Sequence, residues 1–217
     1  MDRQRTRVGL KICGVTRAED VAACAELGVD AIGLNLWPGS RRYLRLPEAA
    51  ALTAAWPDRG PEKIGVFVDP TEEAIRRAWE ELGLDMIQPH GERPIADYAA
   101  LDLPYIWVIR GTPALDSLRV PTPAPARVLL DAAVEGFGGA GIQTDWGWAR
   151  EAVAALAPLE VWLAGGIKVD NAASAVAEVG PAGLDVASGS ERDGARRGEK
   201  DRDRIAALVD ICRRVRL

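Results

Sequence analysis

The sequence predicts a single (β/α)₈ barrel domain spanning residues 1–217, and three observations point to it. Short β-branched or apolar runs of strand length alternate with longer Ala/Leu/Glu/Arg stretches at helical spacing, eight times along the chain. The connections are short, and no linker divides the sequence in two. Polar, titratable and glycine residues collect just past the strand ends, where a parallel barrel gathers its active-site loops. Eight parallel strands with crossover helices can close and lose their edges; an open doubly wound sheet is the rival that the same local pattern admits.

The first strand is Val8–Cys13; Thr16 is the expected cap of a helix running to Leu27 and closed by Gly28. Asp30–Leu36 follows as a strand, with a helix after Pro47, whose ring suits a first turn. Lys63–Val68 leads through Asp69-Pro70-Thr71-Glu72-Glu73 into a helix ending near Gly83. Met86–Gln88 is the fourth strand, with a helix from about Pro94. Tyr105–Ile109 is the fifth, but the proline-rich stretch from Gly111 to Pro125 predicts a shortened or irregular fifth helix. Arg127–Asp131 is followed by the loop Gly136-Phe137-Gly138-Gly139-Ala140-Gly141 and a helix from Asp145-Trp146 to about Leu156. Val161–Ala164 and Leu184–Ala187 complete the strands, followed by helices through Asn171 to Val179 and from about Asp201 to Arg214.

Bulk composition removes several function classes. With 32 acidic against 27 basic residues the net charge is −5, which disfavours nucleic acid as a partner. Cys13, Cys24 and Cys212 are widely spaced and His90 is the only histidine, so no metal centre is expected. No apolar run is long enough to span a membrane, and the opening MDRQRTRVGL lacks a signal-peptide core, so a cytoplasmic protein is expected.

Lys11, Cys13, Asn35, Asp69, His90, Arg110, Asp131, Gly165-Gly166 and Ser188-Gly189 all fall at or just past strand ends. Two glycine loops after the last two strands suit an anion, because glycine lets backbone N–H groups approach closely. Tight strand-to-helix turns are the bland alternative for those glycines, but two such loops at adjacent positions favour phosphate binding. Lys11 shares Cys13's side of its strand by two-residue alternation, so its ammonium favours a thiolate. A free cysteine is otherwise a small buried hydrophobe, which is the better reading of Cys24 and Cys212. Asp131 ends an apolar run and offers a carboxyl for proton transfer, or simply a strand-end cap.

In order and spacing, Lys11-Ile12-Cys13-Gly14-Val15-Thr16, Ser40-Arg41-Arg42-Tyr43, Gln88-Pro89-His90-Gly91-Glu92, Leu129-Leu130-Asp131, Gly138-Gly139-Ala140-Gly141, Leu163-Ala164-Gly165-Gly166 and Asp185-Val186-Ala187-Ser188-Gly189 resemble the phosphoribosylanthranilate isomerase family over nearly the whole chain. The resemblance implies an Amadori rearrangement in tryptophan biosynthesis, with neither cofactor nor metal, on a small phosphorylated substrate. It implies Cys13 as general base, Asp131 as general acid and Arg42 against the anthranilate carboxylate. Lys11, His90 and Asp185 complete the substrate-binding set, and Gly141, Gly165, Gly166, Ser188 and Gly189 hold the phosphate. Monomer and homodimer are both compatible with it. Ordinary pKa values of roughly 3.9 for Asp and 8.5 for Cys would leave carboxylate and thiol, opposite to those roles. The site is therefore expected to raise Asp131 and lower Cys13, with Lys11 and low-dielectric surroundings helping. Asn35, Leu36, Pro89, Ala140, Thr144 and Ser190 depart from the family pattern. Rival readings are an indole-glycerol-phosphate synthase-like or sugar-phosphate epimerase-like barrel, and a barrel that binds a metabolite without catalysis.

Overall fold

The strands form where the apolar runs lie. β1 (Gly9–Cys13), β2 (Ala31–Asn35), β3 (Glu62–Val68), β4 (Met86–His90), β5 (Ile106–Arg110), β6 (Arg127–Asp131), β7 (Val161–Leu163) and β8 (Gly183–Val186) pair in parallel in the order β4-β3-β2-β1-β8-β7-β6-β5. The two ends of that order meet: Ile87 bridges Tyr105 in the parallel sense, and its N–H donates to the Pro104 carbonyl at 3.0 Å. The sheet is thus closed into a barrel. The computed structural model describes residues 7–133, 143–194 and 198–214.

The helices are α1 (Ala18–Leu27), α2 (Leu46–Thr53), α3 (Glu72–Leu82), α4 (Ile95–Ala99), α5 (Trp146–Ala155), α6 (Ala172–Val179) and α7 (Arg202–Arg214). Between β5 and β6 the described chain forms a single 3₁₀ turn, Leu115–Ser117, as the prolines there dictate. Thr71 and Asp145 cap α3 and α5, their side chains accepting from the Ala74 and Trp148 N–H groups. Gly28, Gly83 and Gly180 end α1, α3 and α6 in the left-handed conformation. Two expectations need correction. Arg17, not Thr16, is the N-cap of α1, because the chain is still extended at Arg17 (φ −132°, ψ 146°). β4 runs on through Pro89 and His90, which register with Phe67 and Val68 of β3. Ile87 directs its N–H toward β5, so Pro89, two residues on, turns its missing N–H to the same loosely paired seam.

Alternation along each strand sorts the side chains. Leu10, Ile12, Leu130, Leu163, Leu184 and Val186 point outward into the layer shared with the helices. Ala31, Ile64, Ile106, Leu129, Trp162 and Ala164 form a second apolar cluster inside the barrel. Arg127 closes the end opposite the active-site loops: its guanidinium lies 4.8 Å over the Trp162 ring and pairs with Glu62 at 2.6 Å and Glu160 at 3.3 Å. No helix among the described residues is long and apolar enough to cross a membrane. Arg127→Ala removes that stem, its ring contact and both pairs; denaturant melts are expected to lose about 1–3 kcal/mol of stability.

Candidate active site

Inward-facing positions at the carboxyl ends of the strands converge on one mouth. Strand register sets Lys11 beside Asp185 and Arg110 beside Asp131. The Lys11 ammonium donates to Asp185 Oδ2 at 2.6 Å, with 2% and 7% of the two residues exposed. The charge of the same ammonium acts on the thiol of Cys13, which is half-buried at the rim. Asp131 accepts the Ala132 N–H at 2.9 Å. From β4, Gln88 Nε2 and His90 Nε2 lie 2.9 Å apart.

The fields in this mouth are unequal. Burial first, then the neighbouring Asp185 carboxylate, pushes Asp131 up to about 6, against the Ala132 N–H, Arg110 and Lys11. That is the expected direction for a general acid. Cys13 moves the other way from expectation. Burial raises it above 9.0; Lys11 opposes this, Asp185 reinforces it, and Lys200 and Arg42 only partly offset it. Lys11 therefore favours the thiolate but does not outweigh desolvation. Burial pulls the Lys11 ammonium down, yet Asp185 and Cys13 prevail and hold it above 10.5. His90 falls to about 3 through burial, Lys11 and Arg110, so its imidazole is neutral. His90 Nδ1, Gln88 Oε1 and Asp185 Oδ1 are buried with no hydrogen-bond partner among the described residues.

Arg42 enters from the loop after β2, its stem lying between two glycines. A Cβ on Gly14 (φ +73°) would stand 2.1 Å from Arg42 Cδ, and one on Gly198 3.0 Å from its Cγ. The closeness explains why glycine must follow Cys13. The Arg42 Nε donates to buried Glu191, while Nη2 has no partner among the described residues. Arg42 is thus held along one edge, with a donor of its fork left over.

Gly165 and Gly166 (φ +84° and +65°) follow β7, and Ser188 and Gly189 follow β8. Gly166, Ser188 and Gly189 line a cleft of about 750 Å³ together with Lys168 and Arg204. Asn171 pins its edge, accepting the Lys168 N–H and donating to the Gly166 carbonyl, each at 2.9 Å. Gly141 and the rest of the 136–141 loop lie outside the described residues. Asn35 and Asp69, also at strand ends, hold loops, Asn35 its own and Asp69 the one after β4. Asn35 accepts the Trp37 N–H, and Asp69 accepts those of Glu92 and Arg93. No group of three His, Cys, Asp or Glu side chains able to hold a metal occurs among the described residues.

Residues 10–211 match the family model for N-(5'-phosphoribosyl)anthranilate isomerase. The chain belongs to this family. The isomerase of Myxococcus xanthus is 40% identical over 97% of this chain and 98% of its own length. The Thermus thermophilus phosphoribosyl anthranilate isomerase structure superposes with a TM-score of 0.80 at 33% identity, covering 94% of this chain and 98% of that one. Another family structure, in complex with reduced 1-(o-carboxyphenylamino)-1-deoxyribulose 5-phosphate, gives 0.78 at 28% identity, over 96% and 100%.

Two departures from the pattern of the isomerase family have a shared geometry. Thr144 is buried and its hydroxyl donates to the Ala164 carbonyl at 2.8 Å, directly before Gly165-Gly166. Ser190 is fully buried and donates to the Ala187 carbonyl at 2.8 Å, directly before Ser188-Gly189. Each hydroxyl holds the last carbonyl ahead of one of the two glycine-containing loops. Sequence reasoning did not single out Glu191, Lys200, Lys168 or Arg204. Glu191 and Lys200 fall in a charged loop with nothing local to mark them, since their partners are distant: Lys200 donates to Cys13, 187 positions away.

Raised Asp131 carries a stability cost with a definite sign. The folded state holds its proton more tightly, so the cost is absent below about pH 4 and grows as pH rises through about 6. Asp131→Asn keeps the shape without the buried charge. At pH 8 it is expected to be more stable by roughly 2–3 kcal/mol, one pKa unit being about 1.4 kcal/mol, and to show no gain at pH 4; thermal melts at the two pH values check this.

Proposed function

We propose that Cys13 and Asp131 are the general base and general acid by which this chain converts N-(5-phosphoribosyl)anthranilate into 1-(2-carboxyphenylamino)-1-deoxyribulose 5-phosphate. The reaction is an aldose–ketose isomerisation of tryptophan biosynthesis. The observation that carries the assignment of roles is electrostatic. Lys11 and Asp185 act on both groups, so thiol and carboxyl share one mouth, and that mouth holds Asp131 near 6 where a carboxylic acid remains available.

The protonated Asp131 gives its proton to the furanose ring oxygen as the C1–O bond breaks. The anilino nitrogen lone pair moves into a C1=N bond, forming a Schiff-base cation. The Cys13 thiolate then takes the proton from C2, and that C–H electron pair forms C1=C2 as the C=N electrons return to nitrogen. The enolamine tautomerises to the 2-ketone, with a proton added at C1. Both protons pass between substrate and side chains, so no step calls on a cofactor or metal. Arg42 faces the anthranilate carboxylate with its remaining fork donor, and a guanidinium suits that group through paired N–H bonds. Lys11, Asp185 and neutral His90 supply hydrogen bonds to the sugar hydroxyls. The phosphate rests on the backbone of Gly165, Gly166, Ser188 and Gly189, with Lys168 and Arg204 beside it. The same reading takes residues 1–217 as one domain in the cytoplasm, acting as a monomer or homodimer without nucleic acid or membrane.

The decisive assay follows the fluorescence lost as phosphoribosylanthranilate is consumed. The parent is expected to turn over, with Cys13→Ser and Asp131→Asn each about 10²–10⁴-fold slower. Parent-like rates in both variants would remove them from the chemistry.

A pH profile tests the pairing of roles. The active form needs carboxylic acid and thiolate together, the minority arrangement when the acid titrates near 6 and the thiol above 9.0. The rate is expected to be level between those values. It falls below about 6, where thiolate vanishes while Asp131 is already protonated. It falls again above the thiol's value, where the remaining acid vanishes. Asp131→Asn should lose the limb near 6 and keep rising to the thiol's value; a surviving limb near 6 would assign it to another group.

A further inference from the structure

Lys200 is a buried ammonium that the chemistry above does not use. It is 2% exposed, with its side chain wholly covered. Burying an ammonium is costly unless each hydrogen finds an acceptor, and Lys200 has three. Its Nζ donates to the Cys13 carbonyl at 2.7 Å, the Ala187 carbonyl at 3.0 Å and Glu191 Oε1 at 3.5 Å.

Each acceptor belongs to a different part of the site. The Cys13 carbonyl is on the residue that carries the thiol. The Ala187 carbonyl immediately precedes Ser188-Gly189. Glu191 is the carboxylate that takes both Arg41 and Arg42. The backbone pairing of β1 with β8 runs only to Ile12 and Val186. Lys200 joins the two chains one residue beyond that point, where they part to form the mouth. Glu191 remains a carboxylate there: burial alone would raise it, but the Arg42 hydrogen bond and the charges of Lys200, Arg42 and Arg41 hold it below its ordinary value.

We propose that Lys200 is a positioning residue for the isomerisation, setting the distances among Cys13, the Ser188-Gly189 anion loop and, through Glu191, Arg42. The inference rests on the functional reading above. A substrate gripped by its carboxylate at one end and its phosphate at the other presents C2 to the thiol only if the three supports keep fixed spacing. Displacement of about 1 Å between supports is enough to cost on the order of 10²-fold in rate. Lys200 touches substrate at no point in this scheme; it acts through the groups that do.

The test uses the full chain and Lys200→Met, which keeps the unbranched stem and loses the ammonium. Turnover of phosphoribosylanthranilate is measured with inhibition by inorganic phosphate and by anthranilate, each of which occupies one support alone. A positioning role predicts a fall in kcat of about 10–10²-fold and a rise in KM, while the two fragment inhibition constants stay within about threefold of the parent's. A variant lysine that served only the fold would lower thermal stability and leave kcat per folded molecule unchanged. Lys200→Gln, shorter and neutral but still a donor, is read in the same way and serves where methionine costs the fold. If the parent turns over and both folded variants match its kcat and KM, the proposal fails alone. If the parent does not turn over, the isomerase reading fails and takes this proposal with it.

Discussion

The ion pair between Lys11 and Asp185 governs the site more than any other contact. It joins β1 to β8 inside the barrel, at 2.6 Å and almost without solvent. A closed parallel barrel forces this kind of choice, since every second residue of each strand points inward and must be packed or paired. Between the mouth and Arg127 at the opposite end, the inward residues are mostly apolar, from Ile64 to Trp162. At the mouth they are charged, and the pair fixes which charges are there. Lys11 stays an ammonium because Asp185 and Cys13 hold it so, and that ammonium helps keep His90 neutral. Asp185 in turn helps burial raise Asp131 to about 6.

How much of this was legible in the sequence follows from how local each signal is. Strand positions were, because apolar runs bounded by turn residues are properties of a few consecutive residues; β6 lies at Arg127–Asp131 as expected. So was the inward grouping of Lys11 with Cys13, which needs only the two-residue period. β4 extends beyond the expected Met86–Gln88, and the reason a proline is tolerated there lies in a neighbour: Pro89 faces the seam with β5. Arg42 was found through resemblance, but its companions Glu191 and Lys200 were not. Those contacts span 149 and 187 positions and exist only once the barrel has brought β1, β2 and β8 together.

The departures from the family pattern gain a physical sense from the same geometry. Thr144 and Ser190 place hydroxyls on the carbonyls of Ala164 and Ala187. A glycine loop binds an anion through N–H groups whose direction is set by the preceding peptide planes, and a donor on the last strand carbonyl fixes such a plane. Gly165 leaves no space for a side chain, since its Cβ would stand 2.2 Å from the Thr144 hydroxyl. A side chain at position 165 would therefore have to displace the Thr144 hydroxyl.

The arrangement also shows why the thiol was not tuned further. Burial is what lifts Asp131, and burial acts with the same sign on Cys13, whose charged form is also an anion. A cation within reach of both groups lowers both, as Lys11 does. One environment cannot make one acid group stronger and its neighbour weaker unless a charge stands closer to one of them. Lys11, Lys200 and Arg42 pull Cys13 down and Asp185 lifts Asp131, yet burial leaves the thiol raised all the same. On the proposed roles, what remains is a base in its minority form, which accurate placement against C2 would compensate. Accurate placement is a matter of the supports around Cys13, and these are the groups that Lys200 binds together.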